Sequence, residues 1–297
     1  MEVSGKEIRV GGTLIRVAYL DGEGYQFLND PEVALASLQK SGSRIDLFTF
    51  IQKISDTTPH YDYHLEWDNM AVLRISTFDD WMTNKIDFKV RNKIRKAAKN
   101  GVVVKEMPLD EDLIRGISAI YNESPVRQGR RFRHYKADLD TVRNMTSTFL
   151  DRSIFIGAFL EGSLIGFIKL VTNEDRTQAG LMHILSMIRH RDKAPTNALV
   201  AQAVRSCAER GISFLWYANF SYGNKQRDTL ADFKRHNRFE KVELPRYYVP
   251  LTLAGRIALR LGLHQGVLHW VPESVATRYR KIRSLWYAKR FPSVEGA

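Results

Sequence analysis

The apolar positions between Ser153 and Leu251 follow the periods of strands and helices in turn. Two runs rich in Ile, Phe, Leu and Val flank Glu161-Gly162, which is typical of an antiparallel hairpin closed by a tight turn. A third apolar run covers Ala179 to Ile188 and predicts another strand. The period then changes to about 3.6 up to Gly211, which indicates a helix that ends at this glycine.

Alternating elements continue to the end of this stretch. The run ISFLWYANF predicts a buried strand, Thr229 to Asn237 a short helix, and FEKVELPRYYVPL a last strand. Upstream, Thr77 to Asn100 predicts one long helix with an apolar stripe among seven lysines and arginines. A solvated face is the ordinary explanation of such a charge run, but seven cations beside few acids also favour an anionic partner. We therefore expect an α/β protein with a mixed central sheet flanked by helices.

One irregular segment concentrates candidate binding residues. NESPVRQGRRFRHYK carries its arginines between aromatic side chains, and Pro and Gly keep it out of regular structure. Arginine binds carboxylates and phosphates bidentately, and aromatic rings stack on bases or peptides. The alternative is an exposed basic loop without a ligand. The candidate substrate-binding residues are Arg127, Arg130, Arg131, Arg133 and His134, together with Tyr222, Asn224 and Lys225 in the polar loop after the buried strand.

The amino-acid composition limits the classes of binding partner that we expect. The chain has 297 residues, 44% of them hydrophobic, with a formal net charge of +12 and a pI near 9.7. Such an excess of basic residues is consistent with an anionic partner, for example tRNA, a nucleotide-linked substrate or a lipid surface. A single cysteine, no signal-peptide pattern and no long apolar run predict a cytoplasmic protein. Eight histidines without an HExxH motif, and no cysteine pair, give no expectation of a metal.

Three segments carry a resemblance to a known family. GSLIGFIKLV, APTNALVAQAVRSCAERGI and DFKRHNRFEKVELPRYYV resemble the second hairpin strand, the central helix and the Phe-Lys segment of the GNAT acyltransferase superfamily, in its Fem-like branch of peptidoglycan aminoacyl transferases. The resemblance implies a GNAT-like acyltransferase core. It also implies that Lys234 stabilises the reacting ester and that the Phe233 carbonyl receives a proton from the attacking amine. Tyr248, beside Tyr247 on the last strand, is a candidate general acid.

The expected donor site departs from the CoA-dependent pattern. Where those enzymes have a glycine-rich turn that holds the pyrophosphate, this chain has RHRDKAPTNA, which contains no glycine. The candidate donor-binding residues there are Arg189, Arg191, Thr196 and Asn197. The Fem-like branch also lacks the glycine turn and implies an aminoacyl-tRNA donor. Acyl-CoA therefore stays open beside aminoacyl-tRNA, each as a co-substrate, and no permanently bound cofactor is expected.

These features give one predicted organisation. Residues 1–107 form a smaller N-terminal α/β lobe, residues 108–250 the GNAT-like acyltransferase domain, and residues 251–297 a basic helical C-terminal tail. The tail either packs on the protein or makes peripheral contact with the inner face of a membrane. The predicted function is transfer of an acyl or aminoacyl group from an activated, anionic carrier to an amine. The alternatives are CoA-dependent N-acetylation through a non-standard pyrophosphate site and a non-catalytic basic module that binds RNA or membrane.

Overall fold

The computed structural model describes residues 1–3, 5–221, 229–265 and 273–290. Its strands are β1 (Glu2–Val3), β2 (Lys6–Gly11), β3 (Val17–Leu20), β4 (Leu47–Ile51), β5 (His64–Arg74), β6 (Val103–Met107), β7 (Val126–Arg127), β8 (Arg130–Arg131), β9 (Ser153–Leu160), β10 (Ser163–Thr172), β11 (Gln178–Ser186), β12 (Phe214–Asn219) and β13 (Glu240–Pro250). Its α-helices are α1 (Pro31–Lys40), α2 (Phe78–Asp80), α3 (Phe88–Lys99), α4 (Glu111–Asn122), α5 (Leu139–Thr146), α6 (Pro195–Glu209), α7 (Thr229–His236), α8 (Leu253–Arg260) and α9 (Glu273–Arg290). The α/β class predicted from the sequence is confirmed.

The chain forms two compact units whose boundaries differ from the predicted ones at 107/108 and 250/251. The first unit comprises Met1–Met70, Asn219–Tyr222 and Lys241–Pro272, and the second comprises Ala71–Ala218, Gly223–Glu240 and Glu273–Ala297. The difference arises because β6 pairs with β9 and so belongs to the second unit. In addition, β13 and α8 return to the first unit, where β13 pairs with β4.

The first unit is built on a mixed sheet. Its strands follow the order β1-β2-β3-β4-β13, in which β3 and β4 are parallel and the other pairs are antiparallel. α1 begins after Asp30, whose carboxylate accepts the amides of Glu32 and Val33, and its buried face carries Ala34 and Leu38. These side chains join a core that includes Phe48, Phe50 and Tyr247.

The second unit contains the predicted hairpin and central helix. Its strands follow the order β12-β11-β10-β9-β6, with β11 and β12 parallel and the remaining pairs antiparallel. The hairpin between β9 and β10 turns at Glu161 and Gly162, both of which have positive φ angles. α6 packs on β9, β10 and β11, and α4 packs on β10. Cys207 is fully buried on α6, and burial raises the pKa of its thiol to about 12, as suits a core residue.

The helix predicted over 77–100 is interrupted. After α2 the chain forms a π-helical turn over Trp81–Lys85, Ile86 is extended, and α3 starts anew with Asp87 accepting the amide of Lys89 at 2.8 Å. The Arg91 guanidinium donates to the carbonyl oxygens of Met82 and Thr83 and so closes the π turn. A helical period in the sequence was insufficient to reveal this break, because the apolar stripe continues on both sides of it.

No helix among the described residues is both long enough and apolar enough to cross a lipid bilayer.

Candidate functional site

A cavity of the second unit opens where two parallel strands part. The ladder between β11 and β12 covers only three pairs, from Gln178 opposite Phe214 to Gly180 opposite Trp216. The register of β11 against β10 then skips Met182, which marks a β-bulge. Past this bulge, the end of β11 and Tyr217 of β12 line a cavity of about 660 Å³. Bulges re-aim side chains and end strand pairing, so this one explains the gap between the strands.

Two helices close other sides of this cavity, which we call the strand-gap cavity. α3 contributes Val90 and Lys93, and α7 contributes Phe233 and His236. Val90 is buried, whereas Lys93 is exposed and has no ion-pair or hydrogen-bond partner among the described residues. The cavity wall therefore carries a cation that is available to a ligand.

Arg127 forms the wall near the end of β11. Its guanidinium donates to the carbonyl oxygens of Ser186 at 2.8 Å and Ile120 at 2.7 Å, and it contacts the Glu123 carboxylate at 3.0 Å. The side chain is only 11% exposed, and the ring of Phe132 lies 5.2 Å from its guanidinium carbon. Burial lowers the pKa of Arg127, although the Glu123 carboxylate opposes the shift. Arg127 is thus a fixed part of the wall.

Glu123 organises the turn that follows β11. Its carboxylate accepts the backbone amides of Ile188 at 2.6 Å and Arg189 at 3.0 Å, in addition to its contact with Arg127. These amides open a 3-10 turn over Ile188–Lys193, where a helical segment has unpaired N–H groups. One buried carboxylate therefore holds both the arginine and the turn that carries Arg191, another lining residue.

The start of α6 lies at the same wall. Ala194 has a left-handed φ of 55°, Pro195 occupies the first turn, and the amide of Asn197 donates to the Ala194 carbonyl at 3.1 Å. The hydroxyl of Thr196 lies 2.9 Å from that of Ser186. Arg191, Thr196 and Asn197 all line the strand-gap cavity, as a donor site at this turn requires. Arg189 is not a lining residue, and its guanidinium contacts the Met187 sulfur.

The Phe-Lys pair of α7 is split between the cavity and the core. Phe233 lines the strand-gap cavity, and its carbonyl accepts two hydrogen bonds from Asn237, at 3.2 Å from the amide and 2.8 Å from the side chain. Lys234 is fully buried, with Nζ 4.6 Å from the centroid of the Tyr217 ring. Tyr217 lines the cavity, so Lys234 lies next to a cavity residue without being one.

The end of α7 is fastened to the π turn that precedes α3. The Trp81 indole donates to the Asn237 carbonyl at 3.1 Å, and the Asp87 amide donates to the His236 carbonyl at 3.2 Å. Arg238 donates in return to the carbonyl of Lys85. These three bonds, which we call the α3–α7 lacing, fix the two helices that close the cavity.

Four other candidate residues do not line the strand-gap cavity. Arg130 and Arg131 are exposed on the β7–β8 hairpin, and Arg133 is exposed after it. His134 stacks on Tyr121 at 5.1 Å, and burial followed by the nearby Arg133 charge lowers its pKa. Tyr222, Asn224 and Lys225 fall outside the described residues.

The two tyrosines of β13 belong to the first unit, whereas Lys234 belongs to the second. Tyr247 is fully buried, donates to Gln52 and accepts the amide of His60 at 2.9 Å. Tyr248 lies on the opposite face of the strand, with its ring 4.7 Å from that of His264, and burial raises its pKa to about 12. The period of two explains this alternation.

Three residues of the site were not identified from the sequence. Lys93 was one of many cations on the basic helix, and Tyr217 was one residue of a strand assigned to the core. Glu123 is the second residue of the segment NESPVRQGRRFRHYK and the only acid in it. A lone acid ahead of several arginines is the kind of pattern that can identify an anchoring carboxylate.

Comparison with known proteins supports the fold. No profile of a known protein family matches the sequence, and no curated protein matches it significantly. The structure is similar to that of FemX, with a TM-score of 0.59, 10% identity and coverage of 86% of this chain and 85% of the other. It is also similar to L-PGS from Bacillus licheniformis, with a TM-score of 0.56, 12% identity and coverage of 96% and 89%.

A third solved structure agrees with these two. The C-terminal domain of an Agrobacterium fabrum protein assigned as a lysylphosphatidylglycerol synthetase has a TM-score of 0.58 at 12% identity, with coverage of 89% of this chain and 87% of that domain. At such identities the likeness concerns the fold alone. The predicted fold, a mixed central sheet flanked by helices, is confirmed, and it is similar to the folds of FemX and of these synthetase structures.

Proposed function

We propose that the protein is an acyltransferase that moves an acyl or aminoacyl group from an activated, anionic carrier to an amine. The observation that carries the proposal is the strand-gap cavity, where β11 and β12 part beside the start of α6. Beyond Gly180, the ladder to β12 no longer occupies this edge of β11, so an extended ligand can pair with the strand there. The fold is shared with FemX and with the synthetase structures, which makes acyl transfer the first activity to test.

The donor end is assigned to the basic side of the cavity. This side of the cavity is formed by Lys93, Arg191 and the first turn of α6. Its basic side chains suit a carrier that bears phosphate groups. An aminoacyl-tRNA is the preferred carrier, because exposed cations continue along α3 away from the cavity, at Lys89, Arg95, Lys96 and Lys99. Acyl-CoA is the alternative, and the glycine-free first turn of α6, which begins with a proline, argues against its usual pyrophosphate grip.

In the proposed reaction the acceptor amine attacks the acyl carbon of the donor. A carbon–nitrogen bond forms, the bond to the carrier oxygen or sulfur breaks, and the carrier leaves with the proton that the amine loses. Lys234 is the candidate for stabilising the oxyanion, since its Nζ lies 4.6 Å from the ring of Tyr217, which lines the cavity. The Phe233 carbonyl can accept a hydrogen bond from the attacking amine, whose proton then passes to the carrier, only after the Asn237 side chain releases that carbonyl.

Donor binding can be measured by calorimetry with acetyl-CoA, CoA and aminoacylated tRNA. The double variant Lys93→Ala/Arg191→Ala should bind the true donor at least about tenfold more weakly, because a hydrogen bond to a charged group contributes about 1.5–3 kcal/mol. Arg130→Ala/Arg131→Ala removes the same charge from exposed positions outside the cavity and is the matched control. Equal losses in both variants would refute the proposed donor site.

Turnover separates an enzyme from a non-catalytic RNA-binding or membrane-binding module. Lys234→Met keeps the length of the buried side chain and removes its charge, so acyl transfer should fall steeply while donor binding persists. Lys169→Met, at another fully buried lysine that does not line the cavity, is the control for general damage. Donor binding without transfer in the wild type, for any of the three donors, would favour the non-catalytic module.

We also propose that the segment around α8 makes peripheral contact with an anionic membrane. Leu253, Ile257 and Leu261 are spaced by four residues and are 70%, 47% and 54% exposed. Arg256 and Arg260 are exposed on the same helix and complement anionic lipid. Leu253→Ser/Ile257→Ser should reduce co-sedimentation with vesicles of phosphatidylglycerol and phosphatidylcholine, whereas Leu14→Ser, at a residue 84% exposed elsewhere in the first unit, should not. Equal binding to vesicles of phosphatidylcholine alone would exclude an electrostatic contact.

A further inference from the structure

Two histidines and a glutamate converge in the first unit, outside the strand-gap cavity. His64 and Glu66 are two residues apart on β5, so they project from the same face of the strand. His264 comes from the 3-10 turn Leu263–Gln265 after α8. Its Nε2 lies 2.6 Å from Glu66 Oε1, and Nε2 of His64 lies 3.5 Å from the same oxygen. One ligand atom from each of the three residues lies within 4.8 Å of the others.

One side of this cluster is open to solvent and the other side is buried. His264 is only 1% exposed in its side chain, whereas Glu66 is 26% and His64 is 44% exposed. An open cleft beside the cluster is lined by Leu259, Leu261 and Arg260, and by Gln265, whose side-chain amide donates to Glu66 Oε1 at 2.8 Å. The Tyr248 ring covers His264 from the neighbouring strand at 4.7 Å. An ion can therefore enter from the His64 side, while the Tyr248 ring shields the His264 side from solvent.

We infer that His64, Glu66 and His264 form a binding site for a divalent transition metal, with Zn²⁺ as the best-matched ion. Two imidazoles and one carboxylate are a ligand set that zinc and its neighbours accept, whereas Mg²⁺ and Ca²⁺ prefer oxygen ligands. Two ligand atoms at about 2.0–2.1 Å from a tetrahedral metal lie roughly 3.3 Å apart. The spacings of 2.6 Å and 3.5 Å from Glu66 Oε1 bracket that value, and the remaining spacing, between the two histidine ligand atoms, is at most 4.8 Å, so small side-chain movements bring the atoms into position.

Metal binding would join distant parts of the first unit. Glu66 and His264 are 198 positions apart in the chain, and the turn that carries His264 follows α8 directly. A metal held by β5 and this turn would fix the end of α8 against the strand. Three protein ligands leave one tetrahedral position to water or to a ligand group.

The site can be tested by calorimetric titration of the chelator-treated full chain with ZnCl₂, using protein from which any polyhistidine tag has been removed. Loss of one of three ligands should weaken binding at least about 100-fold, beyond the 10–100-fold cost typical of outer-shell changes. We expect this loss in His64→Gln, at an exposed position that tolerates substitution, and in Glu66→Gln, which keeps the side-chain shape. His60→Gln is the matched control, because His60 pairs with Asp56 at 2.8 Å on the surface of the same unit but belongs to no group of three possible ligands among the described residues.

Substitution with Co²⁺ gives a second readout that does not depend on stability. A tetrahedral site with nitrogen and oxygen ligands should show visible absorption bands in the wild type and in His60→Gln, and these bands should be lost in His64→Gln and Glu66→Gln. A dissociation constant for Zn²⁺ above about 1 mM in the wild type would overturn the assignment. Unchanged Zn²⁺ binding in both ligand variants would overturn it equally.

Discussion

Glu123→Gln tests whether one buried carboxylate organises the cavity wall. The substitution keeps the size of the side chain and removes its charge. In the wild type this carboxylate contacts Arg127 and accepts the amides of Ile188 and Arg189. A glutamine has one acceptor oxygen and places an NH₂ group where the second acceptor was, so at least one of the three donors loses its partner.

The expected cost follows from burial. The Glu123 and Arg127 side chains are only 6% and 11% exposed, and removing one partner of a buried ion pair costs about 3–5 kcal/mol. Arg127 keeps its bonds to the carbonyls of Ser186 and Ile120, which reduces the penalty. We therefore expect the free energy of unfolding to fall by about 2–3 kcal/mol, which corresponds to a decrease in Tm of roughly 3–5 °C for a chain of 297 residues.

Urea denaturation followed by tryptophan fluorescence measures this loss. Glu240→Gln is the matched control, since the Glu240 side chain is exposed and has no hydrogen-bond or ion-pair partner among the described residues. On the Arg127→Met background, Glu123→Gln should cost less by about 1 kcal/mol or more, because the charged partner is already gone. A loss below about 0.5 kcal/mol in the single variant would refute the assigned role of Glu123.

Three further substitutions test other features of the fold. Burial lowers the pKa of Lys169 from 10.5 to about 8, so between these pH values the unfolded chain binds more protons than the folded chain. The free energy of unfolding of the wild type, measured by urea titration relative to Lys169→Met, should therefore rise by about 1–3 kcal/mol from pH 7.5 to 10. A difference that stays constant with pH would show that the oxygen atoms bonded to Lys169 offset the effect of burial. Gly255→Ala should lower the free energy of unfolding by about 2 kcal/mol or more, because the added Cβ would lie 2.0 Å from the Asp46 carbonyl oxygen; an unchanged Tm would contradict this contact. Trp81→Phe removes the indole donor to the buried Asn237 carbonyl and should cost about 1–3 kcal/mol by thermal denaturation, while a cost near zero would mean that the α3–α7 lacing does not depend on this bond.

The local spacing of hydrophobic residues was sufficient to predict most helices and strands of the second unit. The Glu161-Gly162 turn, the strands on either side of it and the apolar face of α6 all follow from spacing and turn chemistry. The unit boundaries did not follow from it, because they depend on which distant strands pair. β6 joins β9 and β13 joins β4, and neither pairing leaves a local signal in the sequence.

The residues of the candidate site also fall into those that could be predicted from the sequence and those that could not. Arg127, Arg191, Thr196, Asn197 and Phe233 line the strand-gap cavity, and their selection rested on residue type and on the resemblance to the acyltransferase branch. The parting of two strands and the bulge that causes it are tertiary features, so the sequence could not indicate that Tyr217 would line the wall. Whether a lysine on a short helix faces solvent or the core also depends on packing, as the full burial of Lys234 illustrates.

The α3–α7 lacing has a consequence for synthesis of the chain. Its bonds join Trp81 to Asn237 across 156 positions and Lys85 to Arg238 across 153. At about 5–20 residues per second, α3 leaves the ribosome roughly 8–30 s before its anchor on α7. During that interval the basic helix is exposed to ribosomal RNA without the helix that later holds it. A chain that stops before Thr229 lacks both the anchor and one wall of the cavity, so a binding-competent site can form only after α7 has been synthesised.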